Sequence, residues 1–390
     1  MNTSSYFKIT ILITASLSFI ACDKEKENSH KTITFNVGFE ELKTHQGIYK
    51  DKTNDKEEIF FVKTNFNPYI RFYDLSGKST DSISLKQAED SIGRIGRISI
   101  ISKDSIIVIS YHNRIMAGIK RNNSFYFKTD LSALSNLTNE DEYRFWGSFF
   151  PNSIIKENNA IFITTWDGKK EKGDTTFASN LEYYKYILKN RMHSPMLCKV
   201  ESIFSNSPKI KFTLNEFYYN KSKSIKSYGA SDKEYALLNN DLFFISAHDR
   251  NIYKLNFRTL EIEDTIPVIP SNYRIPEGIV FANDIKISED ILAEQELYKE
   301  CRITNMLYND KNHKYYIFLR TSKDFSSVDE LGYPFKIYIY DNLFNKEREI
   351  VFNTDEYNPK AAMITSKGIM IEKITKDKEY GKRTFDFLDL

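Results

Sequence analysis

Tyr315-Tyr-Ile-Phe-Leu-Arg-Thr321, followed after a polar break by Phe335-Lys-Ile-Tyr-Ile-Tyr-Asp341, decides the fold. The first stretch is apolar almost throughout, and the second alternates apolar and polar residues before closing on Asp341-Asn342. Aromatic and β-branched residues favour a pleated, half- or fully buried surface, so the two stretches read as neighbouring strands joined by a turn. The same arrangement recurs along the chain. Towards the N-terminus it appears as Asp241-Leu-Phe-Phe-Ile-Ser-Ala247 with Asn251-Ile-Tyr-Lys-Leu-Asn-Phe257, and as Ala160-Ile-Phe-Ile-Thr-Thr165 followed by an inserted segment. Earlier still are Ser105-Ile-Ile-Val-Ile-Ser-Tyr111 with Arg114-Ile-Met-Ala-Gly-Ile119, and Glu58-Ile-Phe-Phe-Val-Lys-Thr64 with Tyr69-Ile-Arg-Phe-Tyr-Asp-Leu75. Towards the C-terminus the last copy is Lys367-Gly-Ile-Met-Ile-Glu-Lys373 with Thr384-Phe-Asp-Phe-Leu388.

Six modules therefore begin near residues 58, 105, 160, 241, 315 and 367. The shorter spacings match the roughly 40–50 residues of a four-stranded propeller blade, and the longer ones carry insertions. Closing such units into a ring leaves no long free edge, which keeps so much strand soluble. The expected fold is all-β: one six-bladed β-propeller of four-stranded antiparallel blades over residues 32–390, with one or two short inserted helices. A seven-bladed ring with a degenerate blade near 199–230 and a tandem of β-sandwiches are the competing readings. The helices are expected at 174–192, where Phe177, Leu181, Tyr184 and Leu188 fall at helical spacing, and at 288–300, which Ser288 would cap. Each would cover apolar surface of the ring or, alternatively, gate it.

Composition agrees with this reading and excludes others. The 390 residues carry 55 Lys+Arg against 53 Asp+Glu, a net charge of +2 that provides no field to attract nucleic acid. Hydrophobic residues are 41% and charged residues 28%, as in a soluble globular protein, and the 25 Tyr and 29 Phe favour strands.

The first thirty residues form a separate unit. Lys8 precedes an apolar run from Ile9 to Ile20, too short to span a bilayer but of the length of a secretory h-region. Phe19-Ile-Ala-Cys22 resembles a bacterial lipobox, with Phe where Leu is usual. On this reading residues 1–21 are a lipoprotein signal peptide and Cys22 is acylated, anchoring the protein to a membrane. Residues 22–31 are then a solvated polar tether, and the cleaved chain carries +1, since only Lys8 among the charges is lost. The alternative is an ordinary signal peptide with a chance cysteine. Acidic residues after Cys22 resemble the surface-export signals of Bacteroidota lipoproteins, which implies a lipid-anchored envelope address, outer membrane, facing the periplasm or the exterior. Cys198 and Cys301 have no metal-type spacing, and whether they pair depends on a distance the sequence does not fix.

The lipobox and the six modules together resemble the six-bladed, TolB-like β-propeller lipoproteins of Bacteroidota, a group without an assigned molecular function. Ile70-Arg-Phe-Tyr-Asp-Leu75 with Ser84-Leu85 is similar to the closing strands of that family's first blade. Ile92-Gly-Arg-Ile-Gly-Arg-Ile98 with Asp104-Ser-Ile106 is similar to the glycine-containing entry of its second, without the fuller Gly-Pro lead-in. Glu294, Tyr298, Asn309-Asp310 and Tyr315-Tyr-Ile-Phe-Leu-Arg320 match a late helix-then-strand element. The resemblance implies a fold and an address but no reaction.

Candidate chemistry is sparse. The six histidines (30, 45, 112, 193, 248 and 313) form no HExxH or HxH pair, and no Gly-x-Ser-x-Gly elbow occurs. No catalytic residue, metal ligand or cofactor is therefore assigned. If each module's first run is the second strand of a blade, the turns after those runs share one face with the links between blades. His112 and His248 hold matching places there, each with an arginine two residues on (Arg114, Arg250). They form a rim able to hold an anionic or polyhydroxy ligand, or are simply good turn formers. Trp166 beside Asp167 suits a sugar ring or peptide, or else packs between blades. Asp249 and, from a between-blade link, Arg94 complete the candidate rim; Arg97, Arg274 and Glu277 lie in such links too. Gly93 and Gly96 lack the Lys-Ser/Thr and the following helix of a phosphate loop. The function expected is non-catalytic binding of a glycan, a peptide or an envelope protein, with no nucleic acid as partner. The alternative is a calcium-dependent lactonase- or esterase-like propeller, for which no repeated inward carboxylate or Asp-x-Asp-x-Asp loop is visible.

Overall fold

The computed structural model describes residues 31–37, 44–50, 58–64, 67–102, 104–110, 115–121, 124–130, 144–146, 155–157, 160, 161–166, 195–201, 209–214, 226–227, 233–239, 241–246, 250–256, 259, 261–273, 279–280, 301–320, 332–374, 381–388 and 390. After β1 (Lys31–Asn36), blade I comprises β2 (Thr44–Lys50), β3 (Glu58–Thr64), β4 (Tyr69–Asp74) and β5 (Ser79–Ser84). A short helix, α1 (Lys86–Ile92), leads to blade II: β6 (Ile95–Ser102), β7 (Ser105–Ser110), β8 (Ile115–Arg121) and β9 (Ser124–Asp130). Next come β10 (Arg144–Trp146), β11 (Ile155–Glu157), β12 (Ala160–Trp166), β13 (Pro195–Glu201) and β14 (Lys209–Leu214). Between β15 (Lys226–Ser227) and β20 (Ile279–Val280), which pair with each other, lies blade III: β16 (Lys233–Leu238), β17 (Asp241–Ser246), β18 (Asn251–Leu255) and β19 (Ile262–Pro267). Blade IV is β21 (Arg302–Asn309), β22 (Lys314–Arg320), β23 (Phe335–Tyr340) and β24 (Lys346–Phe352). Blade V joins β25 (Tyr357–Thr365), β26 (Gly368–Lys373) and β27 (Lys382–Leu388) to β1.

Blades I to IV are antiparallel meanders in chain order, and blade V runs β25-β26-β27-β1. The all-β propeller reading holds, with a correction to its count. Five sheets have four strands rather than six, and the module at residue 160 gives a five-stranded sheet. There β10 and β11 both pair with β12, at its two ends: Trp146 opposite Thr164, and Ile155 opposite Phe162. The two short pieces thus share one edge of β12, and the eight residues separating them account for the fifth strand. All six apolar runs read from the sequence are the second strand of their sheets (β3, β7, β12, β17, β22 and β26). A second strand has neighbours on both sides and packing on both faces, which is why it is apolar throughout. The sandwich and seven-bladed readings do not describe this topology.

The core lies between blades. Phe60, Val62 and Tyr73 of blade I pack with Phe35, Met363, Met370 and Phe385 of blade V. Phe61, Ile70 and Phe72 on the other face pack with Ile98, Ile106 and Val108 of blade II. Parallel clusters join blade III to blade IV and blade IV to blade V. The inner strands β16, β21, β25, β2 and β6 touch in that order. A fully buried aliphatic or aromatic side chain contributes roughly 1.5–3 kcal/mol, against about 0–1 for a typical surface ion pair, so interblade packing dominates.

Both helices expected at 174–192 and 288–300 fall outside the described residues. The helix that is described, α1, buries Ala88 and Ile92 against blade II and stops at Gly93, whose φ of 82° only glycine adopts without strain. Among the described residues no helix is long and apolar enough to cross a membrane; the Ile9–Ile20 run and Cys22 lie outside them.

Candidate ligand-binding end of the ring

Register places the start of each inner strand beside the end of the second strand and the start of the third. His45 lies opposite Lys63, which lies opposite Ile70. Arg302 faces Arg320, which faces Phe335; Asn358 faces Glu372, which faces Phe385. All these positions share one end of the ring. The buried polar and charged residues gather there: His45, Gln46, Lys63, Asn305, Arg320, Asn358 and Glu372 are all buried. Of the rest, Ser110, Thr304 and Asp386 also lie at this end, Asp386 accepting the Tyr357 hydroxyl at 2.8 Å, whereas Thr365 does not. Burying such groups is unfavourable unless they are bonded, so their concentration at one end is a feature that packing alone would not select.

Between blades I and II, His45 Nδ1 accepts the Ile98 N–H at 2.9 Å, and its ring meets Phe61 edge-on. Lys63 Nζ stands 3.7 Å from Glu89 Oε1 of α1, which also accepts the Ile95 N–H at 3.2 Å. Burial, then the charges of Arg97 and Lys63, push the His45 pKa down to about 3. The imidazole is therefore neutral at physiological pH. With Nδ1 an acceptor, the proton sits on Nε2. The unfolded chain takes up a proton near the ordinary pKa of 6.5, and the folded chain does so only near 3. Stability should thus fall between those values as pH drops, by up to about 1.4 kcal/mol per unit from this group. Urea midpoints at pH 7, 6, 5 and 4 check this: the slope should be shallower in His45→Asn, and an equal slope contradicts it.

The junction of blades V and I carries Asn358, whose Nδ2 donates to Glu372 Oε2 at 3.0 Å, and Arg383, which ion-pairs with Glu372. Arg71 donates to the Val37 carbonyl at 3.0 Å. At the junction of blades IV and V, fully buried Asn305 donates to the Pro359 and Ala362 carbonyls at 3.0 and 3.1 Å. Beside it the Arg320 guanidinium lies 5.2 Å from the Tyr333 ring centre, a cation–π contact. At the junction of blades III and IV, Lys336 pairs with Glu349 at 2.5 Å and stands 5.5 Å over the Tyr273 ring.

The sequence-predicted rim divides as follows. Arg94 is exposed, in the link from α1 into β6 at this end. Arg250 immediately precedes β18, also at this end, and is half-buried. It donates to the Pro270 and Tyr273 carbonyls at 2.5 Å each, tying the link that follows blade III to its third strand. Trp166 is the last residue of β12, opposite Arg144. His112, Arg114, Asp167, His248 and Asp249 lie outside the described residues, as do Arg274 and Glu277. Turn chemistry did not reveal His45, Lys63, Arg320 or Glu372. A signal for three of them was present: Phe60-Phe-Val-Lys63, Ile317-Phe-Leu-Arg320 and Ile369-Met-Ile-Glu372 each end an apolar second strand on a charge.

Cys301, just before β21, is a free thiol in the buried core. Burial pushes its pKa up to about 11. No disulfide links it to Cys198. Little of it is thiolate at pH 8, so peptide-mapped alkylation at that pH should leave Cys301 unmodified in native protein and modify it fully in urea. Rapid native labelling contradicts the burial. Among the described residues no group of three or more His, Cys, Asp and Glu stands placed to hold a metal ion.

No family model matches the chain, and no curated protein matches it. Among solved structures, a member of the DUF4221 family from Bacteroides vulgatus is similar over 92% of this chain and 96% of its own, with a TM-score of 0.66 at 13% identity. A luciferin-regenerating enzyme aligns over 92% and 96% with a TM-score of 0.43 at 8% identity. The β-propeller domain of Cps50 (Swd1) from Myceliophteria thermophila aligns over 88% and 96% with a TM-score of 0.38 at 7% identity. At these identities the first likeness is one of fold, and the other two add nothing to it.

Proposed function

We infer that this chain is a lipoprotein of the bacterial envelope, anchored through acylated Cys22, whose propeller binds a ligand without covalent chemistry at the end where its inner strands begin. One observation carries the reading: buried polar and charged side chains converge on that end from four blades. A ring held together by apolar packing has no need of Lys63, Arg320 or Glu372 in its strands, and a binding surface does. The ligand classes that fit such donors and acceptors are a glycan, a peptide or a segment of an envelope protein. The rim read from the sequence (Arg94, His112, Arg114, Trp166, Asp167, His248, Asp249 and Arg250) is part of this proposal, and Arg94, Trp166 and Arg250 are its members among the described residues.

Glycan and peptide arrays probed with the full chain in detergent micelles test the reading. A specific hit that weakens at least tenfold in Lys63→Met or Trp166→Ala is expected, with thermal midpoints showing the variants folded. Absence of any hit, or a hit indifferent to both substitutions, contradicts it. Mass spectrometry of the membrane-extracted protein should find the acyl chains on Cys22, and Cys22→Ser should release the protein from the membrane.

A further inference from the structure

We propose that the buried His45 Nε2–H between blades I and II donates to one oxyanion group — a carboxylate, sulfate or phosphate — near Lys63 and Arg97. This rests on reading the strand-start end as the ligand-binding face and names the chemistry of one subsite within it.

Four observations converge. First, the tautomer is fixed: Ile98 N–H donates to Nδ1, so the neutral ring presents an N–H at Nε2. Second, His45 is 8% exposed, and Nε2 has no hydrogen-bond partner among the described residues. A buried donor left unsatisfied costs about 1–3 kcal/mol, a penalty folding does not need to retain at a site serving only packing. Third, the charges that act on the ring are those of Lys63 and Arg97, so an anionic acceptor fits Nε2–H better than a neutral one. Fourth, Glu89, the carboxylate beside this junction, is already engaged by Lys63 and by the Ile95 N–H. The neutral imidazole donates without charge while the two cations supply the field. Anion affinity here therefore needs no titration of the histidine.

Thermal melts of the full chain in detergent micelles test the subsite, at constant ionic strength against chloride. Separate arms titrate sodium sulfate, sodium phosphate and sodium acetate, which distinguishes a sulfate or phosphate group from a carboxylate. The expected result is a saturable rise in melting temperature in at least one arm. In His45→Asn the side-chain oxygen can still accept from Ile98 but nothing reaches the Nε2 position, and the anion midpoint should weaken at least tenfold. His45→Gln, which can place an amide N–H near Nε2, should recover part of it. Arg97→Gln gives an independent variant should His45→Asn not fold, and should also weaken binding. Lys78→Ala, at an exposed cation in the turn at the other end of blade I, should not. A non-saturable response, or one equal in wild type, His45→Asn and Arg97→Gln, overturns the subsite. An array ligand bound with no anion response overturns the subsite alone; a His45-dependent anion response with no array ligand upholds it while the wider binding reading falls.

Discussion

Phe35→Ala is expected to lower stability by roughly 3–5 kcal/mol, seen as a large downward shift of the urea midpoint of the full chain. Phe35 is fully buried. Its ring lies 4.2 Å from Phe60 and 5.6 Å from Tyr73 of blade I, and 5.7 Å from Phe385 of blade V. It sits on β1, the strand that completes blade V by pairing with β27 from Lys31 opposite Phe387 to Asn36 opposite Lys382. The substitution therefore opens a cavity at the seam where the two ends of the chain meet. Tyr73, which donates to the Asn36 carbonyl at 2.8 Å, would lose its packing partner as well. Phe35→Leu keeps most of the volume and should cost far less, about 1–2 kcal/mol. A Phe35→Ala midpoint close to wild type would mean that β1 does not close the ring.

Asn305→Ala should cost about 2–4 kcal/mol by a different mechanism. β25 contains Pro359, which has no N–H to donate, and its pairing with β26 is irregular between Asn358 and Met363. Asn305, reaching across from β21, donates to the Pro359 and Ala362 carbonyls, while its Oδ1 accepts the Met306 N–H at 2.8 Å. Alanine leaves all three groups buried without that partner. Asn305→Asp should be worse, because a carboxylate would face the same carbonyl oxygens. Equal urea midpoints for wild type and Asn305→Ala would show that the irregular segment is satisfied without the asparagine.

The second strands were legible because they are buried on both sides and must be continuously apolar: Ser105-Ile-Ile-Val-Ile-Ser110 admits few other readings. The outer strand β24, Lys346-Glu-Arg-Glu-Ile-Val-Phe352, is mostly exposed and so reads like a charged loop. The inner strand β2, Thr44-His-Gln-Gly-Ile-Tyr-Lys50, opens on polar residues because it begins at the polar end of the ring. β1 alternates cleanly, yet nothing local says that its partner lies 350 residues away; Thr34 meets Thr384 only in the folded chain. α1 has seven residues, too few to show a helical period. The site was half legible for a related reason. Turn residues such as Arg94 and Arg250 advertise themselves. Lys63, Arg320 and Glu372 are single charges at the ends of apolar runs, and only alignment of the strands across blades shows that they share one end.

The central claim, that this end binds ligands and performs no metal-assisted hydrolysis, is tested most directly by metal analysis of the purified full chain together with thermal melts in EDTA and in calcium. The charges acting on buried His45 there are the cations Lys63 and Arg97, the wrong sign for a divalent ion, which seeks six to eight oxygens. No stoichiometric metal and a melting temperature indifferent to chelator and to added calcium are expected. Stoichiometric calcium, with a melting temperature that falls in EDTA and returns on re-addition, would contradict it and put a calcium-dependent hydrolase in its place.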